Sequence, residues 1–429
     1  MRTRHPARLR LVVAGLALAL VASGCSDDGD AEGGPAELTF TWWGSDSRHE
    51  YTQEIIERFN AAHPDIVVTG EFTDFDSYWD RLANATAGGN PPDVMTQEER
   101  FLREYVVNGQ LLDLNTVADT LDLTNIDPLA LAAGEIDGGL YTVASGVNAF
   151  SIVADPQIFE DVGVEFPDDT SWTWDDYLQI SQQVSAAAGD IYGAQAFGTN
   201  EAGFNVYARQ RGEALYNPDG SLGFSAQTLA DWWTLSLEQT ASGGTPSASE
   251  TVEIGATGPD QSLLATNAGA MGFWWTNQLG ALSGAAGREL VLLRQPGESA
   301  GQRPGMYFKP AMSYSISAHT DHPQEAAMFV DFLLNSPDAA ELLLHDRGLP
   351  ANLQIRGEIA AMLPDTERQV SEFMTEIGPS LVDPPPPPPT GAGEVVSIMQ
   401  RLYEEVLFER MTPLAAAEQF MQEVEAATS

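Results

Sequence analysis

Strand patterns alternate with helix patterns over residues 36–96, and this alternation restricts the fold more than any other feature of the sequence. Residues 37–43 alternate apolar and polar side chains, which predicts a half-buried strand. Apolar residues then recur at helical spacing, and His63-Pro64 interrupts that pattern. The predicted order is strand 37–43, helix 50–62, strand 65–69, helix 77–87 and strand 93–96. This order predicts an α/β domain with a mainly parallel sheet.

The second half of the chain is richer in helical patterns. We predict helices over 175–188, 226–240, 261–268, 323–335, 337–345, 393–408 and 413–426. The last two follow the proline run Pro384–Pro389. Consecutive prolines favour polyproline II, so we expect the run to wrap the surface between helices, with recruitment of a partner as the alternative.

Residues 1–24 have the composition of an export signal. Arg2, Arg4, Arg8 and Arg10 give a positively charged start, and an apolar run follows from Leu11 to Ala22. A helix of that length is too short for the bilayer core of about 30 Å. A charged start followed by a short apolar run and small residues indicates a cleaved signal peptide.

Cys25 is the only cysteine of the chain, so no intramolecular disulfide can form. The preceding residues, Val21-Ala22-Ser23-Gly24, resemble the lipobox of bacterial lipoprotein precursors. We therefore expect lipidation of Cys25, with 25–35 as a flexible tether on the outer face of the cell membrane. The alternative is an ordinary signal in which the cysteine is incidental.

The chain is strongly acidic. It has 62 acidic and 20 basic residues, with a formal net charge of −42, and Lys309 is its single lysine. Such a surface repels phosphate backbones, so nucleic acid is not an expected partner. The length of 429 residues suits two domains better than one.

A series of motifs runs along the chain in a fixed order. It comprises Phe40-Thr-Trp-Trp-Gly44, Ile56-Glu-Arg-Phe-Asn60, Asn90-Pro-Pro-Asp-Val94, Ile136-Asp-Gly-Gly-Leu-Tyr141, Asn267-Ala-Gly-Ala-Met271 and Arg347-Gly-Leu-Pro350. In this order the motifs resemble the family-1 extracellular solute-binding proteins, the sugar-binding group that includes maltose-binding protein. One departure is Ile152-Val153-Ala154, where family members often carry a Tyr-Asn pair.

The resemblance implies an α/β, two-lobed periplasmic-binding-protein type II fold with an interdomain ligand cleft and a hinge. We expect the first lobe at 36–146 and 290–320, and the second at 147–289 and 321–429. It also implies a monomer that captures a mono- or oligosaccharide and delivers it to the permease subunits of an ABC transporter. No catalytic residue, cofactor or metal is expected.

Sugars need hydrogen-bonding partners for their hydroxyls and aromatic rings for their C–H faces. Open α/β sheets bind ligands at the carboxyl ends of their strands. Residues that follow the first three predicted strands are candidates, namely Trp43, Ser45, Asp46, Asp74 and Gln97. Trp42 and Trp43 point to opposite faces of a strand, and we favour Trp43 for the cleft. Asp46 has helix capping as its alternative role, and Asp74 a place in a solvated loop.

Further candidates come from the second half and from the crossovers between lobes. They are Asn148, Trp274, Trp275, Asn277, Tyr307 and Arg347. Of the two adjacent tryptophans we favour Trp275. Trp232 and Trp233 lie within a helical pattern, and we expect them in the core.

Two other classes of protein remain as alternatives. An exported glycoside hydrolase would also have aromatic and acidic residues, but it needs two carboxylates at a defined separation. Neither Gly-x-Ser-x-Gly nor His-Glu-x-x-His occurs. His319 and His322 precede Pro323 in a predicted turn, so we do not expect them to bind a metal. The other alternative is a binding protein for a non-sugar solute such as a polyamine, peptide or polyol phosphate.

Overall fold

The computed structural model describes residues 34–44, 46–256 and 259–428. The predicted signal peptide, Cys25 and Ser45 lie outside these residues. In the part of the chain that is described, no helix has the length and apolar character needed to cross a membrane. Residues 35–429 cluster as one compact unit.

The strands of the described residues form two main sheets and a hairpin. Their bounds are β1 (Ala36–Trp43), β2 (Ile66–Thr73), β3 (Val94–Gln97), β4 (Glu135–Ile136), β5 (Gly139–Leu140), β6 (Val143–Asn148), β7 (Phe150–Ala154), β8 (Met271–Trp275), β9 (Val291–Leu293), β10 (Lys309–Ile316) and β11 (Leu349–Pro350). The first sheet has the order β11-β6-β10-β3-β1-β2, and the second has the order β8-β7-β9. Strands β4 and β5 form the hairpin.

Helices cover both sheets. Their bounds are α1 (Asp46–Ala62), α2 (Phe75–Ala87), α3 (Glu99–Val107), α4 (Pro128–Ala132), α5 (Pro156–Val162), α6 (Trp174–Ala188), α7 (Glu201–Arg209), α8 (Ala226–Ala241), α9 (Ala248–Gly255), α10 (Leu279–Ala286), α11 (Pro323–Asn335), α12 (Pro337–Leu343), α13 (Leu353–Ile359), α14 (Asp365–Ile377), α15 (Val395–Leu407) and α16 (Pro413–Ala427). The predicted α/β class is confirmed.

The alternation predicted over 36–96 is present as β1-α1-β2-α2-β3. Strand β1 lies between β2 and β3, and both pairings are parallel. On one face of β1 the side chains of Leu38, Phe40 and Trp42 are buried in the core of the first lobe. Strand β10 adds to β3 in the antiparallel direction and then pairs with β6.

The second sheet forms the base of the second lobe. Strand β7 is central and pairs antiparallel with β8 and with β9. An aromatic core packs beside it and includes Trp232 and Trp233, which are both fully buried as predicted. The chain leaves the first sheet at Asn148, passes through Ala149 and enters the second sheet at Phe150. This short connection and segment 294–308 are crossovers between the lobes.

The packing corrects the expected lobe boundaries in three places. Asn148 pairs with Lys309 in the first sheet, although 147–289 was expected in the second lobe. Strand β9 pairs with β7, so the start of 290–320 belongs to the second lobe. Helices α11, α12 and α13 pack on β10, α1 and β11, which places them in the first lobe. The chain therefore crosses a third time, between α13 and α14.

The helix predicted over 261–268 is wrong. After a short 3-10 turn at Pro259–Gln261, the segment folds into consecutive turns. Asn267 has a positive φ of 57°, and the backbone amides of Ala268 and Gly269 both donate to the carbonyl oxygen of Leu263. A left-handed residue at this point ends helical winding, and the backbone hydrogen bonds are satisfied within the turns.

Arg347 is a buried connection within the first lobe. Its side chain is 3% exposed, and it donates to the hydroxyls of Thr52 at 2.6 Å and of Tyr314 at 2.7 Å. A third contact reaches the hydroxyl of Tyr51 at 3.4 Å. The guanidinium group thereby connects α1 to β10 at a point just before the chain enters β11.

We expect Arg347→Met to destabilise the protein by about 2–4 kcal/mol, because the exchange leaves buried hydroxyls without partners. Arg81→Met is the matched control, since Arg81 is exposed and reaches Glu71 only at 4.0 Å. We expect that change to cost about 0.5 kcal/mol or less. Urea unfolding followed by circular dichroism measures both, and equal stability losses would contradict the structural role of Arg347.

Candidate functional site

Charged side chains gather where the first sheet meets the second lobe. Strand β3 ends at Gln97, and Glu98 and Glu99 follow as the chain turns into α3. Because β10 runs antiparallel to β3, its first residue, Lys309, reaches these carboxylates. The Lys309 Nζ atom lies 3.0 Å from Glu99 Oε1 and 3.4 Å from Glu98 Oε1.

Glu98 also caps α3. Its Oε2 atom accepts from the backbone amide of Arg100 at 2.9 Å and from Arg100 Nε at 3.0 Å. A carboxylate at this position satisfies an unpaired amide and interacts favourably with the helix dipole. The cap and the two ion pairs fix Glu98 at the end of β3, where its side chain is 9% exposed.

An aromatic ring from the second lobe meets this group. The Nζ atom of Lys309 lies 5.4 Å from the ring centroid of Trp275, within the range of a cation–π interaction. Trp275 ends β8, pairs with Phe150 of β7 and is half-buried. The favoured member of the predicted Trp274–Trp275 pair therefore lies beside the charged residues.

Helix α7 brings a third carboxylate to the same place. Asn205 of α7 donates from Nδ2 to the Tyr307 hydroxyl at 3.4 Å, and Tyr307 lies two residues before Lys309. Glu201 lies one helical turn before Asn205, so both side chains share one face of α7. Arg209, two turns beyond Glu201, stands 5.0 Å from the Tyr307 ring centroid.

Together these side chains form a charged cluster, which consists of Glu98, Glu99, Arg100, Glu201 and Lys309. Burial and then the charge of Glu99 raise the pKa of Glu201 to about 7. Burial also raises the pKa of Glu99, against the opposing effect of Lys309. Burial alone would lower the pKa of Lys309, but Glu99 and Glu98 raise it. The cluster thus holds its lysine charged and one carboxylate close to its titration point at neutral pH.

Two buried polar side chains of this region have no hydrogen-bond partner. Gln97, which precedes Glu98 in the chain, is 1% exposed, and neither its amide nitrogen nor its amide oxygen is paired. The Tyr216 hydroxyl is also unpaired, its side chain is 4% exposed, and it interacts electrostatically with Glu201 and Glu99. Buried polar groups normally have partners, so the Tyr216 hydroxyl is an unsatisfied group beside the charged cluster.

Trp43 is not exposed in the structure. It is 7% exposed and packs against Phe75, Tyr78 and Trp79, with ring centroids between 5.0 and 5.7 Å apart. The alternation along β1 does turn Trp43 away from the core that holds Trp42, as predicted, but aromatic side chains of α2 cover it. In this structure Trp43 packs within the first lobe, and its contact with a ligand stays a prediction.

Three other predicted site residues lie in the first lobe and away from the charged cluster. Asp74 caps α2 by accepting from the backbone amide of Ser77 at 3.0 Å, a hydrogen bond that lowers the pKa of Asp74. Asp46 is the exposed first residue of α1. Arg347 uses its guanidinium group inside the first lobe, and its contact with a ligand stays a prediction.

The remaining predicted residues lie in a small cavity, in the core of the first lobe or next to the charged cluster. Asn148 and Asn277 line a small cavity of about 20 Å³ with His345 and Glu367. Asn148 also stands opposite Lys309 in the β6–β10 ladder. Trp274 packs on the core of the first lobe. Tyr307 is 8% exposed and lies next to the charged cluster through Asn205.

The sequence analysis did not choose Glu98, Glu99, Glu201 or Lys309 as candidates. For three of them the sequence contains a feature that could have identified them. Glu98 and Glu99 directly follow the third strand, beside the chosen Gln97, and Lys309 is the single lysine of a very acidic chain. No sequence signal places Glu201 near them, because α7 meets β10 only through tertiary packing.

Comparisons with known proteins agree with this architecture. A family model described as "Bacterial extracellular solute-binding protein" matches residues 45–340. An uncharacterized lipoprotein in the oleD 5′ region of Streptomyces antibioticus is 24% identical over 362 residues, which cover 81% of this chain and 77% of that protein.

Two solved structures illustrate the similarity in fold. An extracellular solute-binding protein family 1 from Alicyclobacillus acidocaldarius has 29% sequence identity and a TM-score of 0.79, covering 93% of this chain and 100% of that one. A periplasmic oligogalacturonide binding protein from Yersinia enterocolitica has 24% identity and a TM-score of 0.79, covering 92% and 100%. The two-lobed architecture of such proteins is the fold of this chain.

We expect Glu201→Gln to stabilise the protein above neutral pH. The pKa of this carboxyl group rises from 4.5 to about 7 on folding, so its charge destabilises the folded state increasingly between these values. The gain in the free energy of unfolding should be about 2 kcal/mol above about pH 7 and should vanish near about pH 4.5. It is smaller than the full pKa shift implies because the side chain is partly exposed. Urea unfolding of both forms across this pH range measures the difference. A difference independent of pH would contradict the raised pKa.

Proposed function

The chain belongs to the bacterial extracellular solute-binding proteins, and from this membership we propose that it captures a carbohydrate outside the cytoplasm and delivers it to an ABC permease. The observation that carries the carbohydrate assignment is the combination of the half-buried Trp275 ring with the charged cluster. A sugar needs an aromatic face for its C–H groups and carboxylates or amides for its hydroxyls. One similar structure is an oligogalacturonide binding protein.

Both lobes contribute to this group of residues. Glu98, Glu99 and Lys309 belong to the first lobe, whereas Trp275 and Glu201 belong to the second. A ligand held between them binds the closed arrangement of the lobes more tightly than an open one, so binding favours closure. The crossovers at Ala149, at 294–308 and between α13 and α14 would absorb the rotation.

One contact between the lobes supports closure of this kind. The Arg103 Nη2 atom of α3 donates to the carbonyl oxygens of Pro218 and Pro387, both at 3.2 Å. Pro387 belongs to the proline run, whose carbonyls have no partners within the run because proline has no amide hydrogen. The run thus offers acceptors of the second lobe to a donor of the first.

The membrane attachment that we propose rests on Cys25 and the residues before it. A similar protein is named as a lipoprotein. A lipid at Cys25 would hold the chain on the outer face of the cell membrane, within reach of the permease. The family consists of solute-binding proteins, which favours ligand capture over the alternative of an exported glycoside hydrolase.

We expect Trp275→Ala to weaken sugar binding at least tenfold, which corresponds to about 1.4 kcal/mol, because the ring supplies the apolar contact. Phe166→Ala is the matched control, since Phe166 is 36% exposed and packs on Phe159 in the same lobe. Calorimetric titration with a panel of mono- and oligosaccharides measures both. If no sugar binds the unaltered protein, the carbohydrate assignment fails.

We expect Cys25→Ser to release the protein from membranes, because serine lacks the thiol that forms the thioether bond. The measurement is the distribution of the full chain between membrane and medium in a bacterium that processes lipoproteins, together with incorporation of labelled fatty acid. Ser26→Ala is the control and should remain attached. A Cys25→Ser chain that stays on the membrane and carries label would disprove anchoring at this residue.

A further inference from the structure

The ion pairs of the charged cluster include two of its three carboxylates. Arg100 pairs with Glu98 at 3.0 Å, and Lys309 pairs with Glu98 at 3.4 Å and with Glu99 at 3.0 Å. Among the described residues no basic side chain lies within salt-bridge distance of Glu201. Lys309 and Arg100 act on Glu201 from beyond that distance, and the carboxylates of Glu99 and Glu98 oppose them, so the charged form of Glu201 gains from a cation supplied by another molecule.

A second and independent observation lies beside Glu201. The Tyr216 hydroxyl is buried and unpaired, and it interacts electrostatically with Glu201. A phenol oxygen accepts hydrogen bonds, and this one is left without a donor. A protonated amine carries three donors and a positive charge, so it suits one carboxylate and a neutral acceptor.

A metal ion fits this place less well than an organic cation. Among the described residues no group of three His, Cys, Asp or Glu side chains has an arrangement that could hold a metal. Two of the three carboxylates here are already occupied by Lys309 and Arg100. The aromatic face of Trp275 also suits an organic ligand, since rings attract both C–H groups and ammonium groups.

We propose that the part of the cleft around Glu201 and Tyr216 is a subsite for a protonated amine, so that the captured carbohydrate is an amino sugar or contains one. This inference rests on the proposed function and narrows its ligand class. A neutral hydroxyl in the same place adds no charge against the carboxylates of Glu99 and Glu98 that raise the pKa of Glu201, whereas an ammonium group opposes them.

The raised pKa of Glu201 gives the subsite a proton linkage. An ammonium group binds the carboxylate form, so binding releases a proton from the fraction of protein in which Glu201 is protonated near its pKa of about 7. Several other ionisable groups face this region. They are Glu98 before α3, Glu99 and Arg100 of α3, Tyr307 of the crossover, Lys309 of β10, and Tyr216 and Arg209 of the second lobe.

The test uses calorimetry on the purified full chain with matched pairs of sugars that differ in one amine. The pairs are glucosamine with glucose, galactosamine with galactose, mannosamine with mannose, and deacetylated with acetylated chito-oligosaccharides. We expect the amine-bearing member of at least one pair to bind about tenfold tighter or more. Titration in two buffers of different ionisation enthalpy should show proton release near neutral pH.

Glu201→Gln should reduce the preference for the amine to about threefold or less, since the glutamine keeps the shape but lacks the charge. Glu238→Gln is the matched control, because Glu238 is exposed on α8 in the same lobe, and it should keep the full preference. A thermal melt confirms that both variants fold.

The outcomes separate this inference from the proposed function. Tighter binding of neutral sugars, or an amine preference that Glu201→Gln retains, would overturn the amine subsite and leave carbohydrate capture intact. Absence of binding by every sugar, charged or neutral, would overturn both. An amine preference lost in Glu201→Gln and kept in Glu238→Gln supports the subsite.

Discussion

The insertion of β10 between β3 and β6 is the constraint on which the rest of the structure depends. This strand enters the first sheet directly after the chain has crossed from the second lobe, so its first residue, Lys309, stands at the junction of both. The antiparallel pairing with β3 then brings Lys309 to Glu98 and Glu99. The same crossover places Tyr307 against α7 and thereby Glu201 near the other charges.

Local patterns were sufficient to predict the strands and helices of residues 36–96. The period of two along β1 and the helical period of α1 depend on neighbours in sequence, and both were identified correctly from residues 36–96. The pairing of β10 depends on contacts with residues far away in the chain, which periodicity does not encode. For the same reason the return of α11, α12 and α13 to the first lobe was missed, and the predicted boundary at 321 was wrong.

Individual site residues were harder to predict because the same residue types serve cores and ligands. Trp43 is an aromatic residue at the end of a strand, as expected for a cleft residue, yet Trp79 and other rings of α2 cover it. Arg347 lies in a turn of the expected kind but satisfies hydroxyls inside the lobe. Trp275 is half-buried where its strand ends, beside Lys309. Burial therefore separates Trp275 from Trp43 and Arg347, and burial is a property of the tertiary packing.

The large negative charge of the chain and the charged cluster act over different distances. A net charge of −42 attracts cations and repels anions in general, but salt screens this field within about 8 Å at physiological ionic strength. Selection of a ligand therefore falls to groups in contact with it. Arg100 and Lys309 are the cations of the charged cluster, and both are paired with carboxylates. An acidic sugar would have to break these pairs, whereas a cationic one meets Glu201, which has no ion pair of its own.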